Sequence, residues 1–337
     1  MFSTRIPKIK GTKKFFGKNQ PVISLGLPSL DAILGGGLPL GSSLLLEEDE
    51  FGTYATMVLK HYLAEGVVND HPLSLAGQDI DTKKLVADLP SPLIGNANQG
   101  SYNDDGDQLR IAWRYQDLPS KLPSNAPVFG NTYNLGNSMM KSELEKVNID
   151  HWNSRKSDHS YDDLLAYLKK HVDDAKYNLS VPVENRTVLR VALCSLGTAS
   201  WVGDIVKFLI NLRILIRNSC VTCLITVPTG LFQEFMLHRC EHFCDTVIEM
   251  KSFLYDANLA YSDYEGLLIL KKLPVINAWC PTIPDSNDWA FKLKKKRFII
   301  ERLHISPELN EQTHREEEDM SNDYKTQRVV SNIAQEF

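Results

Sequence analysis

Leu44-Leu45-Leu46-Glu47-Glu48-Asp49-Glu50-Phe51-Gly52-Thr53-Tyr54-Ala55-Thr56, followed by Met57 to Glu65, is the stretch that decides the fold. The leucines read as a buried strand, and Met57 to Glu65 as the helix that follows it. A strand–loop–helix unit of this kind normally carries the phosphate-binding loop GxxxxGK[ST]. Here Asp49 stands for the first glycine, Tyr54 for the second and Ala55 for the lysine. Backbone amides wrap a phosphate only where the chain turns tightly and approaches closely, which is why glycine is needed. Glu47, Glu48, Asp49 and Glu50 instead offer carboxylates that repel a triphosphate. The loop has the motif's place but not its chemistry.

Working outward, the chain of 337 residues exceeds the usual single-domain size, so one large α/β domain with an insertion and tails is expected. A composition 43% hydrophobic and 23% charged is ordinary for a globular protein with a sizeable core. The longest apolar run, Ile205 to Ile216, is broken by Lys207, Asn211 and Arg213, short of the roughly 18 residues a membrane span needs. Met1-Phe2-Ser3-Thr4-Arg5 lacks the apolar core of a secretory signal. A cytoplasmic or also nuclear location is expected, with no membrane contact. The net charge of −5 confines any nucleic-acid contact to a local basic surface.

Two metal-like patterns fail on local grounds. Cys220-x-x-Cys223 with Cys240-x-x-x-Cys244 has zinc-ligand spacing. Val221 to Val227 is strongly β-prone, however, and residues three apart on a strand point to opposite faces. Buried free thiols are expected instead. His238-Arg239-Cys240-Glu241-His242 matches the inverted zinc-protease motif, but five-residue patterns arise by chance and nothing else supports a hydrolase. No metal ligand is assigned.

Along the chain, residues 1–20 carry Arg5, Lys8, Lys10, Lys13, Lys14 and Lys18 and read as a basic flexible arm. A short helix is expected from Leu30 to Leu34, capped by Ser29 and stopped by Gly35-Gly36-Gly37. The helix after the altered loop is expected to end at Gly66. Leu73 to Ala76 reads as a strand and Thr82 to Leu89 as a helix ended by Pro90 and Pro92. Asn96 to Gln108 reads as a loop and Leu109 to Tyr115 as a strand. About 116–159 forms the largest insertion, rich in Pro, Ser and Asn.

Ser160 caps an amphipathic helix through Val172; Val188 to Cys194 is a strand, and Ile205 to Arg217 a helix. Cys220 to Val227 is a buried strand, with a helix from Pro228 to about Phe243. Thr246 to Met250, Gly266 to Lys271 and Phe298 to Leu303 complete the sheet, and 307–337 is an acidic disordered tail. Alternating strands and helices imply a mostly parallel sheet closed by antiparallel strands, with 21–306 as the domain. Ligands in such sheets sit beyond the carboxyl ends of the strands.

Leu25-Gly26-Leu27-Pro28-Ser29-Leu30-Asp31 with Leu34-Gly35-Gly36-Gly37-Leu38-Pro39-Leu40-Gly41-Ser42 resembles the opening of RecA-type ATPase domains. Joined to the altered loop, Ile111 to Tyr115, Ala290 to Lys296 and Ile300 to His304, it resembles the family of the fourth subunit of the Elongator complex. The resemblance runs from about 20 to 308. It implies a RecA-like three-layer α/β fold with a long flexible insertion and disordered termini. It further implies an accessory role in wobble-uridine tRNA modification, within a hetero-hexameric ring with Elongator subunits five and six. That ring binds tRNA, regulates its release by ATP hydrolysis and joins the catalytic core, whose third subunit carries the radical chemistry.

A second departure from an active ATPase lies at Cys194-Ser195, where a magnesium-organising Asp is expected. No catalytic residue, no cofactor and no cofactor-binding residue is therefore assigned. The basic run Lys292, Lys294, Lys295, Lys296 and Arg297 is the local candidate for phosphate contacts, with Lys294, Lys295, Lys296 and Arg297 as the tRNA-binding set. The competing reading of that run is a solvated strand edge whose lysines discourage aggregation. The competing function is a self-sufficient RecA-like ATPase with an atypical nucleotide site.

Overall fold

The computed structural model describes residues 9–14, 20–93, 129–152, 160–179, 186–254, 261, 263–276, 284, 286 and 289–303. β1 (Thr12–Lys14) and β2 (Pro21–Ile23) lead to α1 (Pro28–Ile33), β3 (Leu38–Pro39), β4 (Ser42–Glu48) and α2 (Thr53–Val68). Next come β5 (Leu73–Gly77), α3 (Thr82–Ala87), β6 (Pro90–Pro92), β7 (Tyr133–Ser138), α4 (Lys141–Leu144), β8 (Ile149–Trp152) and α5 (Tyr161–Val172). The remainder runs β9 (Leu189–Cys194), α6 (Ile205–Ile216), β10 (Val221–Pro228), α7 (Glu234–Phe243), β11 (Thr246–Ser252), β12 (Gly266–Lys272), β13 (Trp289–Lys294) and β14 (Arg297–Arg302).

Nine of these strands form the central sheet, in the order β14-β13-β12-β11-β4-β10-β9-β5-β8. From β11 to β8 every neighbour is parallel, and β12, β13 and β14 close the sheet antiparallel. The chain therefore crosses from β4 through α2 to β5 over the places that β10 and β9 later fill. This is the mostly parallel three-layer α/β arrangement that the alternation of elements implies.

Alternation within β4 divides the layers. Leu44 and Leu46 pack with α1, α2 and β14, whereas Leu45 faces α5, α6 and α7. Cys220 and Cys223 fall on these opposite sides, so the first pair of the zinc-like pattern is split by the sheet. All four thiols of that pattern are buried.

Several helix ends follow the sequence. Ser160 accepts from the Asp163 amide at 3.1 Å, and Asp204 caps α6 through Val206 and Lys207. Others differ. Ser29 lies inside α1, which starts on Pro28 after an uncapped Leu27; proline at the first position already needs no amide partner. Gly66 does not end α2, which continues to Val68. A Cβ at Gly66 would lie 2.6 Å from Leu73 Cδ2 and 2.8 Å from Arg190 Cδ, so close approach explains this glycine.

That approach lets Arg190 enter the core. Its Nη1 donates to Ser24 O and Tyr62 O, each at 2.9 Å, and its Nε to His71 Nδ1 at 3.1 Å. Burial, helped by the guanidinium, pulls the His71 pKa down to about 3, which suits an acceptor nitrogen. Asp31, from the quoted opening, accepts from Ser24 Oγ and the Leu25 amide. The opening segment is thus pinned beneath β9.

Pro90 to Pro92 not only follows α3 but pairs with β7. Within the insertion, residues 129–152 hold β7, α4 and β8, and β8 joins the central sheet beside β5, where an irregular stretch was expected. The helix expected from Pro228 begins instead as a 3-10 turn, Thr229–Leu231, before α7. The expected loop Asn96–Gln108, strand Leu109–Tyr115 and tail 307–337 lie outside the described residues, as do residues 1–8 and 15–19 of the arm.

Candidate functional site

β4 ends at Glu48, and Gly52, with φ of 64°, turns the chain into α2. The first turn of a helix leaves amides without intrahelical partners, and in a phosphate-binding loop an anion fills that place. Here the anion is internal. Asp49 Oδ1 accepts from the amides of Tyr54 at 2.9 Å and Ala55 at 3.1 Å, and Oδ2 from Thr53 at 3.1 Å. The residue standing for the first glycine thus occupies, with its own carboxylate, the amides a phosphate would use. Thr56, at the Ser/Thr position of the motif, donates its hydroxyl to Gly52 O at 2.6 Å. Tyr54 is spent on packing, with its ring 4.7 Å from Phe291 and its hydroxyl on Glu265.

The other carboxylates are sorted by the fold. Glu48 Oε1 accepts from Ser195 Oγ at 2.8 Å, and Ser195, at φ 47°, donates its amide to Thr226 Oγ1. A carboxylate therefore does reach the place of the missing magnesium-organising Asp, but it comes from β4. Glu47 is fully buried and pairs with Lys271 at 2.7 Å. Burial pushes its carboxyl up to about 7 against the opposing pull of Lys271. Lys271 also meets Glu241 at 3.0 Å and Glu249 at 3.2 Å. Glu50 is exposed.

An open cleft of about 670 Å³ lies at this edge, between the β4–α2 loop, the 3-10 turn and the end of β11. Among the described residues, Glu48, Asp49, Glu50 and Glu249 line it with one cation, Lys251, which itself pairs with Glu249 at 3.1 Å. The cleft sits where an α/β sheet binds ligands, yet its field is negative.

The protease-like motif is absorbed into the same network. His238 Nδ1 lies 2.9 Å from Glu241 Oε2, and Glu241 turns to Lys271. His242 rests edge-on against Phe243. Among the described residues, no three His, Cys, Asp or Glu side chains converge as metal ligands.

The tRNA-binding candidates lie elsewhere. Lys294 pairs with Arg297 across the β13–β14 ladder, so Lys295 and Lys296 form a two-residue hairpin turn. Both have positive φ, 50° and 63°, in a turn that favours Asn-Gly. The turn is held from outside: Leu135 donates its amide to Lys296 O at 2.8 Å, and the Lys296 stem lies on Gly136. All of Lys294, Lys295, Lys296 and Arg297 are exposed. The set is therefore a hairpin tip. Lys292 stands apart, paired with Glu301 and 5.4 Å from the Tyr264 ring.

Comparison with known proteins places the chain. A family model described as PAXNEB protein matches residues 5–333. Elongator complex protein 4 of Xenopus laevis is 35% identical, covering 92% of this chain and 86% of that protein. The human protein of the same name is 32% identical over 92% of this chain and 83% of its own length. Its namesake in Schizosaccharomyces pombe is 24% identical over 86% of each. Among solved structures, a KaiC-like protein from Pyrococcus horikoshii superposes with a TM-score of 0.48 at 15% identity, covering 84% of this chain and 99% of that one.

Proposed function

This chain belongs to the PAXNEB family, that of Elongator complex protein 4, and on that premise we propose that it is a non-catalytic accessory subunit of the Elongator complex. In this reading it works on wobble-uridine tRNA modification in the cytoplasm, and also in the nucleus. It assembles with Elongator subunits five and six into a hetero-hexameric RecA-like ring that binds tRNA, and the ring joins the catalytic core.

One observation carries the non-catalytic part: the Asp49 carboxylate on the amides of Thr53, Tyr54 and Ala55. With the anion place filled, no lysine at Ala55 and acids around it, the isolated chain has no means to hold a triphosphate with its magnesium. Hetero-assembly then supplies whatever nucleotide chemistry the ring performs. Keeping a fold while losing its chemistry favours a binding role, an argument by analogy.

The second reading, a self-sufficient ATPase with an atypical site, draws on the cleft and on Thr56. Calorimetry separates the two. The purified chain is expected to show no micromolar affinity for ATP with magnesium, and such affinity would promote the second reading. Mass photometry with the two ring partners is expected to show mixed hexamers. Separate monomers would remove the ring.

A further inference from the structure

We propose that the buried network around Arg190 is a latch that joins the amino-terminal arm to the returning end of the insertion, so that the two segments seat and release together. Through β7 the latch also reaches the β13–β14 hairpin tip. This device belongs to the folded chain itself and does not depend on the assembly proposed above.

Arg190 is fully buried on β9. Burial pulls its pKa down, and the nearby Tyr62, Glu65, Tyr133 and Asp31 oppose that pull. On the arm side, His71 Nδ1 accepts from Arg190, so its Nε2 carries the proton and donates to Lys10 O at 2.8 Å. Ile9 beside it is buried. Gly11, at φ 68°, leaves no room for a side chain, since a Cβ there would lie 2.7 Å from Asn69 Cγ. Asn69 in turn donates to Glu65 Oε1 at 2.9 Å.

On the insertion side, Glu65 is buried, and its Oε2 accepts from the Asn131 amide at 3.1 Å and from the Tyr133 hydroxyl at 2.5 Å. Gly130 lies on Ser24, whose carbonyl accepts from Arg190 and whose hydroxyl donates to Asp31. Lys13 joins the two segments directly, its ammonium 5.7 Å from the centre of the Phe129 ring. Two residues past Tyr133, the Leu135 amide holds Lys296 O. Both segments thus hang on one buried set, Arg190 with Glu65 and Asp31. Freeing either segment admits water to these groups and weakens the bonds that hold the other, because such bonds are strong only while their surroundings stay dry. Release of the two is therefore cooperative.

The test is hydrogen–deuterium exchange on the full chain. Gly11→Ala unseats the arm by a clash and deletes no polar group. It is expected to raise exchange about tenfold at residues 9–14, and also at 129–135 and 295–297. Tyr133→Phe removes one hydroxyl from Glu65 and keeps the ring. It is expected to raise exchange about threefold at 129–135 and, across the latch, at 9–14. Coupling is reciprocal, so the double variant should exchange less than the product of the single effects. α5 and α6, which pack on the other face of the sheet, should exchange as in the wild type throughout. The proposal is overturned if each variant loosens its own segment alone, or if the double variant multiplies the single effects. An equal rise in α5 and α6 overturns it too, because that is ordinary loss of stability. Should Gly11→Ala fail to fold, exchange at 9–14 in Tyr133→Phe decides the matter alone.

Discussion

The β4–α2 loop and the β13–β14 hairpin tip both break a local rule, and they break it differently. The loop puts acids where glycine and lysine belong, yet its departure is answered within the loop, since Asp49 satisfies the amides that would otherwise want an anion. The tip puts two lysines at positive φ, and its strain is answered only from outside, by the Leu135 amide and Gly136. Among the described residues, Lys295, Lys296 and Arg297 form no ion pair. A rule broken and locally compensated reads as a settled structural state. A rule broken at a cost, with charge left facing solvent, points to use.

The largest test of the loop side is Lys271→Met, which leaves Glu47 buried without its cation. A loss of about 3 kcal/mol is expected at pH 8 by denaturant titration. Its pH dependence has a defined sign. Burial holds the folded Glu47 carboxyl at about 7, above its ordinary value of 4.5, and losing Lys271 raises it further. Between those values the folded chain holds a proton that the unfolded chain has released, so stability falls as pH rises. The deficit should therefore widen from pH 6 to pH 8; a flat deficit would mean the pair is not what stabilises Glu47.

Reversing charge at the tip, Lys294→Glu with Lys295→Glu and Lys296→Glu, should weaken tRNA binding by the assembled ring about a hundredfold. The slope against salt should also become shallower, while the preference among tRNAs stays the same, because phosphates carry no sequence information. Coincident salt titrations for both rings would reduce the tip to a solvated edge.

Asp49→Ala should cost about 1–2 kcal/mol through loss of the helix cap, read as a lower melting temperature. Stability equal to wild type would show that the amides find other partners.

The smallest effect sharpens the contrast most. Replacing Lys295-Lys296 by Asn-Gly should stabilise the chain by about 1 kcal/mol, because these residues accept positive φ. The same variant should bind tRNA more weakly. Gain in both, or in neither, would break the link between strain and use.

Sequence legibility followed the range of the interaction involved. The Ser160 cap was readable because capping involves residues two or three apart. The strand at Leu44 to Leu46 and the helix at Ile205 were readable from apolar pattern alone. Gly66 was misread as a helix end because its reason lies in Arg190, more than a hundred residues away. The pairing of β6 with β7 was hidden because Pro90 and Pro92 look like terminators until an edge partner exists.

The sequence by itself determined the α/β alternation, the family, and the loss of the phosphate-binding residues, all of which are written in short runs and their spacing. Tertiary structure alone decided where two of the freed carboxylates went, Glu47 to Lys271 and Glu48 to Ser195, while Asp49 turned to the nearby head of α2. It also turned a basic run into a hairpin tip. The physical reason is common to both. A run of like charges has no fate of its own; Ser195 follows β9, Lys271 lies on β12 and Leu135 on β7, and only folding brings them within reach.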